Sequence, residues 1–519
     1  MDAMPLRLGA LLLAVAAASC APEPQTSAID RLHECGIEEG PTGTYCGSFE
    51  VPENRATGQG RRIALKIVVA PALRREAAAD PLFILEGGPG AGAATLAGSR
   101  LAMFRRFRTD RDLVFVDQRG TGDSNRLGCD PTADELDDLT TDDDRAMRRL
   151  RQCLAELDAD PRLYTTPIAM DDLDDVRRFL GYETINLWGG SYGTRAALVY
   201  LRQHEAHVRT VVLDGVAPQD MQLPLHTARD AQRALDRLFA DCAADAGCAA
   251  AFPALKDDTA ALFARLERDT PTIHGVHPRT GKAIALPLSR RDAALVVFRA
   301  LYVPEVASLL PRVLTAAAGG DYQGLLALAF SSAPEGDKRD MAVGMHLSVV
   351  CAEDLPRITP ADREAADASG FLGAAMFDAQ YAACSFWPRG EVPASYHAPV
   401  SSSRPVLILS GADDPVTPPT WGEHVATHLP ASKHIVVPGA GHITLTRGCV
   451  PQLVEAFLRT ATVDGLDPSC TGTLRRPPFF VTPTGPATTP PERGATPPAP
   501  GAALAPPATA PAPPGASAS

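Results

Sequence analysis

A short apolar, β-favouring run, Thr184-Ile-Asn-Leu-Trp188, meets a helix-prone run, Thr194-Arg-Ala-Ala-Leu-Val-Tyr-Leu-Arg202, through Gly189-Gly-Ser-Tyr-Gly193. Glycine two positions either side of a serine, between a strand and a helix, is the pattern of a nucleophile elbow. The turn is so tight that a side chain at either glycine would collide with the neighbouring strand or helix. Ser191 is thereby lifted off the sheet at a helix N-terminus, where the dipole and free N–H groups favour an oxyanion. The other possibility is a glycine turn with an idle serine, and a chain with 42 glycines can produce one by chance. The elbow therefore needs partners elsewhere in the chain.

The surroundings of the elbow set the fold. Residues 81–85 and 111–116 are buried-type strands that run into Glu86-Gly-Gly-Pro-Gly-Ala-Gly92 and Asp117-Gln-Arg-Gly-Thr-Gly-Asp-Ser124. Thr166-Pro167 opens a helix with a capping threonine and a first-turn proline. Leu173, Val176 and Leu180 give that helix one apolar face, and Gly181 ends it. Residues 208–213 form the strand after the elbow helix. Strands alternating with helices predict an α/β fold, a mostly parallel, doubly wound sheet. Residues 62–71 alternate as a strand at the sheet's edge does.

The rhythm covers 34–217, breaks over 218–400 and resumes over 401–473. The middle stretch is expected to be a helical cap over the site, with helices over 226–240, 257–268, 291–300 and 306–318. The last part alternates again: strand 404–409, helix 419–429, strand 433–437, helix 450–460. Residues 474–519 are rich in Pro, Ala and Thr, hold too little apolar bulk to pack, and are expected to be disordered.

At 519 residues the chain exceeds one ordinary core. A net charge of −13 and a pI of about 5.4 argue against nucleic acid and a polybasic membrane surface. The acidic run over 130–144 reads as a solvated loop, since its spacing fits no metal-binding loop. At the N-terminus, Arg7, an apolar stretch over 8–18 and Ala17-Ala-Ser-Cys20 fit a secretory signal over 1–19, too short to span a bilayer. Small residues directly before a cysteine resemble a bacterial lipobox, in which Cys20 is lipidated and begins the mature chain. An ordinary signal peptide is the alternative. Residues 20–33 then form a tether, and the protein is periplasmic or at the cell surface.

Leaving Cys20 aside, ten of the 11 cysteines remain, an even number that points to disulfides in an exported chain. Neighbours in sequence suggest Cys35–Cys46, Cys129–Cys153, Cys242–Cys248, Cys351–Cys384 and Cys449–Cys470, although spacing alone leaves the connectivity open. A metal site is disfavoured: there is no CxxC, and the histidines do not cluster near the cysteines.

A serine hydroxyl is a poor nucleophile until a base takes its proton, and the base needs an orienting acid. In an elbow fold these follow in the order serine, acid, histidine. Gly411-Ala-Asp-Asp-Pro-Val-Thr417 follows one strand and Gly439-Ala-Gly-His442 the next. Asp414 is the expected acid and His442 the expected base, with Asp413 the rival acid and His434 a strand residue. The oxyanion hole should combine the Tyr192 N–H with one from Gly87 or Gly88, because Pro89 has no N–H. A phosphate loop at these glycines would need a following GKS/T, which is absent. No cofactor is required.

Together, Glu86-Gly-Gly-Pro-Gly90, Asp117-Gln-Arg-Gly-Thr-Gly-Asp-Ser124, Gly190-Ser-Tyr-Gly193, Asp414-Pro-Val-Thr-Pro418 and Gly441-His442 resemble the α/β-hydrolase serine aminopeptidases of the prolyl and tripeptidyl type. The C-terminal part, with Cys449 and Cys470, resembles the tripeptidyl-aminopeptidase-like C-terminal domain. The resemblance implies an α/β-hydrolase fold and release of residues or short peptides from free N-termini without metal. Such an enzyme must hold a substrate ammonium, which a carboxylate in a dry pocket does well. Glu353 and Asp354, beside Cys351, are the candidates, and Trp387 could line an apolar pocket, with core packing as its alternative. Peptides are the expected partners, and a lipid anchor at Cys20 the only membrane link. The oligomeric state stays open. A carboxylesterase acting on small acyl esters, or a silent hydrolase fold that binds ligands at the surface, could carry the same residues.

Overall fold

The computed structural model describes residues 28–486 apart from 39, 41, 130–142, 278–279, 332–340 and 368–369. Cys20, most of the acidic run and residues 487–519 lie outside the described residues. The first half of the chain lays down β1 (His33–Cys35), β2 (Thr44–Pro52), β3 (Arg62–Ala70), β4 (Leu82–Leu85), α1 (Ala97–Phe104), β5 (Leu113–Val116), α2 (Asp143–Glu156), α3 (Thr166–Leu180), β6 (Ile185–Gly190), α4 (Tyr192–Gln203) and β7 (Val208–Asp214). A long insertion follows: α5 (Thr227–Ala244), α6 (Ala246–Ala251), α7 (Leu255–Leu266), a hairpin of β8 (Thr272–Val276) and β9 (Ala283–Pro287), then α8 (Arg290–Leu301), α9 (Pro304–Ala307), α10 (Leu310–Ala318), α11 (Gln323–Ser331), α12 (Val343–Glu353), α13 (Pro360–Asp367) and α14 (Ala375–Cys384). The chain then returns through β10 (Val406–Gly411), α15 (Pro419–Ala426), β11 (Ser432–Val437) and α16 (Val450–Thr460).

Nine strands form one sheet in the order β1-β2-β3-β5-β4-β6-β7-β10-β11. The first three ladders are antiparallel and every ladder from β5 to β11 is parallel. β4, β5 and β6 are buried along their whole length, as parallel strands covered on both faces must be. Side chains alternate between two cores. Leu187, Val406 and Ile408 pack with α3 and α4, while Trp188, Leu407 and Leu409 pack with α1 and α16. The insertion carries an apolar core of its own, built from residues such as Leu235, Leu262, Val297 and Leu314.

Several expectations are corrected. The strand expected at the sheet edge, β3, is third from that edge, because β2 pairs with it along its full length. Alternation reports one wet face, not an edge position, and β3 keeps that pattern only in its first half. Residues 28–33 are folded rather than a tether: a 3-10 turn over Ala28–Arg31 sets the Arg31 guanidinium 5.6 Å from the Phe179 ring, and β1 starts at His33. The helix expected over 306–318 is two, α9 and α10, because Pro311 lacks an N–H and fits only the first turn of a new helix. The hairpin β8–β9 interrupts what was expected to be helical. Thr166 does not cap α3; Thr165 holds the cap position, and the Thr166 hydroxyl is used elsewhere.

The expected disordered tail is packed at its start. Arg476 pairs with Asp241 at 2.9 Å and Asp413 at 3.0 Å, and Phe479 is buried in the core of the insertion. A few anchor side chains suffice there, although the stretch as a whole is poor in apolar bulk. Five disulfides join Cys35–Cys46, Cys129–Cys153, Cys242–Cys248, Cys351–Cys384 and Cys449–Cys470. Among the described residues no helix is long and apolar enough to cross a membrane, and no group of three His, Cys, Asp or Glu could hold a metal.

Candidate active site

The loops leaving the carboxyl ends of β4, β6, β7, β10 and β11 meet along one edge of the sheet, where ligands of open parallel sheets bind. Ser191 follows β6 directly and has φ 57° and ψ −127°, a backbone conformation that non-glycine residues adopt only where the surroundings enforce it. The enforcement is visible. The Ser191 N–H donates to the Asp214 carbonyl at 3.0 Å, and the Ser191 carbonyl accepts from the Thr194 N–H at 2.9 Å and its hydroxyl at 2.6 Å. The flanking glycines are required by contact: a Cβ at 193 would lie 2.0 Å from the Leu85 carbonyl oxygen, and one at 189 would lie 2.3 Å from the Gly193 carbonyl oxygen.

Gly87, in the loop after β4, lies directly against the serine. A Cβ there would be 2.9 Å from Ser191 Cβ and 3.4 Å from Ser191 Oγ. Gly88 follows with φ 115°. Tyr192 opens α4 with its N–H in the unbonded first turn, and its phenol turns into the interior, 2.6 Å from the Thr166 hydroxyl.

The loop after β11 brings His442 to the same edge. Its Nδ1 lies 2.8 Å from Asp414 Oδ2 and 3.1 Å from the Thr417 hydroxyl. Asp414 is fully buried and accepts from the Val416 N–H at 2.9 Å, the Thr417 N–H at 2.8 Å and the Thr417 hydroxyl at 2.8 Å. Burial alone would raise the Asp414 pKa, but the charge and hydrogen bond of His442 and the two backbone donors hold it below the ordinary range. Burial alone would lower the His442 pKa, but Asp414 beside it, with a smaller contribution from Asp214, carries it above the ordinary value. An ionised Asp414 therefore fixes the proton on Nδ1, and both ring contacts use that nitrogen, which leaves Nε2 as the basic one.

Serine and histidine converge on the end of β7. The Asp214 carbonyl holds the Ser191 N–H, and a Cβ on the next residue, Gly215, would lie 3.2 Å from His442 Cε1 and 3.0 Å from the Thr417 hydroxyl. The insertion closes the other side: the His442 N–H donates to the Tyr302 carbonyl at 3.0 Å, and the Tyr302 ring stands edge-on to the imidazole, centroids 5.1 Å apart.

The rival acid Asp413 points away, toward Arg237 at 2.5 Å and Arg476 at 3.0 Å. His434 lies on β11 with Nε2 2.9 Å from the Ser410 hydroxyl. The three residues expected to touch substrate are enclosed. Glu353 accepts from the Thr166 N–H at 2.7 Å, the Thr166 hydroxyl at 2.9 Å and the Tyr396 phenol. Arg195 Nη1 donates to both Asp354 oxygens, at 3.1 and 2.9 Å, with both partners fully buried. Trp387 is packed with Cys351, and its Nε1 donates to Ser348 at 3.1 Å. A substrate ammonium at either carboxylate would have to displace these donors. Sequence reasoning passed over Asp214, Thr417, Thr166 and Arg195. Asp214-Gly215 carries the same signal that singled out Asp414, an acid at a strand's carboxyl end.

Residues 80–272 match the family model described as "alpha/beta hydrolase fold", and residues 369–470 match "TAP-like protein". The chain is 25% identical over 452 residues to serine protease Hip1 of Mycobacterium tuberculosis, covering 80% of this chain and 85% of that protein. It is 28% identical over 459 residues to carboxylesterase B of the same organism, covering 80% and 84%. It is 30% identical over 194 residues to a tripeptidyl aminopeptidase of Streptomyces coelicolor, covering 34% and 36%. These matches and the sheet described above make the chain a protein of the α/β-hydrolase fold with a TAP-like C-terminal part.

Proposed function

We propose that the protein is an exported serine peptidase that hydrolyses peptide bonds near free N-termini, of the prolyl or tripeptidyl type, through Ser191, His442 and Asp414. One observation carries the reading: the Asp414–His442 hydrogen bond of 2.8 Å forms at the sheet edge that also presents Ser191 in its strained turn. The relatives named serine protease and tripeptidyl aminopeptidase support peptidase chemistry. Five disulfides support an oxidising compartment. A lipid anchor at Cys20 completes the proposal for location.

In this reading Ser191 Oγ attacks the scissile carbonyl carbon while His442 Nε2 takes the hydroxyl proton, and Asp414 stabilises the imidazolium. The N–H groups of Tyr192 and of Gly87 or Gly88 receive the oxyanion. The imidazolium then protonates the leaving amine, which departs and leaves an acyl-enzyme. Water attacks the acyl carbon, giving its proton to His442, and Ser191 regains a proton as the carboxylate leaves. Glu353 ties the insertion to the start of α3 through Thr166, and Asp354 ties it to the nucleophile helix through Arg195, with Trp387 packed behind them.

The test compares a free-amine peptide 4-nitroanilide with its N-acetylated form, using Ser191→Ala as control. Selective turnover of the free amine is expected, and equal turnover of both would reject the N-terminal preference. The relative named carboxylesterase B keeps a second reading, hydrolysis of small acyl esters. Cleavage of 4-nitrophenyl butyrate with no cleavage of any free-amine peptide would favour it.

A further inference from the structure

Resting on Ser191 and His442 as nucleophile and base, we infer that Asp214 is a positioning residue for the reaction, coupling the serine's turn to the histidine's loop. It is the last residue of β7 and is fully buried. Its backbone and its side chain hold different partners. The carbonyl accepts the Ser191 N–H at 3.0 Å. The carboxylate accepts the Thr444 N–H at 2.9 and 3.0 Å, the Thr444 hydroxyl at 3.0 Å and the Leu445 N–H at 2.9 Å. Thr444 and Leu445 follow His442 by two and three residues, so these bonds fix the loop that aims the imidazole. The next residue extends the junction: the Gly215 N–H donates to the Leu409 carbonyl at 3.0 Å, on the strand that leads to Asp414.

No Lys or Arg among the described residues forms an ion pair with this carboxylate, which makes its burial expensive. Asparagine could not replace it without cost, because its NH2 would face N–H donors where the carboxylate has a second acceptor. The charge also acts on His442. The groups packed around that imidazole are Asp414 and Thr417 from the loop after β10, Gly215 from the end of β7, and Tyr302 from the insertion, and the Asp214 carboxylate reaches it through its charge. Arg233 reaches the backbone carbonyl of Asp414 at 3.0 Å. Of these groups, Asp414 and Asp214 are the anions, and both favour the protonated ring. Burial pushes Asp214 itself up to about 6, so it is charged at neutral pH.

The experiment uses the full chain, a free-amine tripeptide 4-nitroanilide and 4-nitrophenyl butyrate, with kcat, KM, the pH profile of kcat/KM and the thermal midpoint measured for wild type, Asp214→Asn and Thr444→Val. Asp214→Asn should lower kcat about tenfold or more with KM within about twofold, and should move the acid limb to lower pH because an anion acting on His442 is gone. Thr444→Val keeps the carboxylate and loses one of its donors, so kcat should fall about two- to fivefold with the limb unmoved. A lowered thermal midpoint with wild-type kcat and an unmoved limb in Asp214→Asn would make the residue merely structural and overturn the inference. If Asp214→Asn does not fold, wild-type kcat in Thr444→Val overturns it instead. A wild type that turns over neither substrate and whose Ser191 does not label with a fluorophosphonate would remove the underlying reading, and the inference with it.

Discussion

The sheet's carboxyl edge and the helical insertion reach the same site by different means. At the edge, a backbone ladder sets position: Ile84 lies opposite Trp188, Trp188 opposite Val212, and Leu213 opposite Ile408. Each loop then starts at a place fixed by register, and any apolar side chain that suits a buried parallel strand would do. The insertion has its own apolar core, and the ties it makes to the rest of the site include two polar side chains, Asp354 on Arg195 and Glu353 on Thr166, and one backbone bond, from the His442 N–H to the Tyr302 carbonyl. A ladder spreads its energy over many equivalent bonds. A buried ion pair concentrates it in one, where loss of either partner leaves an uncompensated charge.

That contrast can be broken by measurement. The largest effect belongs to the edge: Ser191→Ala should lower kcat by roughly 10⁴–10⁶ while leaving the unfolding midpoint within experimental error. Activity above one-hundredth of wild type would end the edge's claim to the chemistry. Next comes the insertion's tie. Arg195→Met should destabilise by about 3–5 kcal/mol in urea unfolding, because Asp354 is left buried with only Arg357, at 4.0 Å, as a counter-charge. A loss below about 1 kcal/mol would mean that the tie is no stronger than a surface pair. Within the insertion the disulfides should rank by loop length. Removing Cys351–Cys384, which spans 33 residues, should cost about 4 kcal/mol, and removing Cys242–Cys248, which spans 6, about 2 kcal/mol. The reverse order would show that the native packing around them outweighs chain entropy.

The smallest effect is a matter of sign. His442 must be neutral to take a proton and its pKa lies above 6.5, so the acid limb of kcat/KM should fall above that value, with activity rising as pH rises. The same raised pKa stabilises the fold fully only below the unfolded value, and that contribution is lost as pH rises through the folded value. Activity and this part of stability should therefore move in opposite directions over one pH window. A limb at or below 6.5 would contradict the environment described for the ring.

Legibility followed the same division. The strand runs before Glu86, Asp117, Ser191, Asp413 and His442 are short, apolar and closed by glycine-rich turns, so both the alternation and the loops that carry the candidate residues stand out in one dimension. Of the two adjacent acids Asp414 is the expected one and Asp413 its rival; the turn after β10 separates them, pointing Asp413 toward Arg237 and Arg476 and Asp414 toward His442. Glu353 and Asp354 looked like free carboxylates because their partners, Thr166 and Arg195, lie more than a hundred residues away in the chain. The packed start of the tail was hidden for the same reason, since Arg476 finds its partners on α5 and beside the site.

The sequence by itself determined the parallel sheet, the elbow that lifts Ser191, and the strand-end loops that carry the candidate acid and base, because hydrophobic period and glycine placement act locally. Only the tertiary structure decided that Asp414 takes His442, that Glu353 and Asp354 face inward, and that Asp214 holds the histidine's loop to the serine's turn. Those are contacts between distant segments, and the direction of a side chain within a loop depends on what the rest of the chain packs against it.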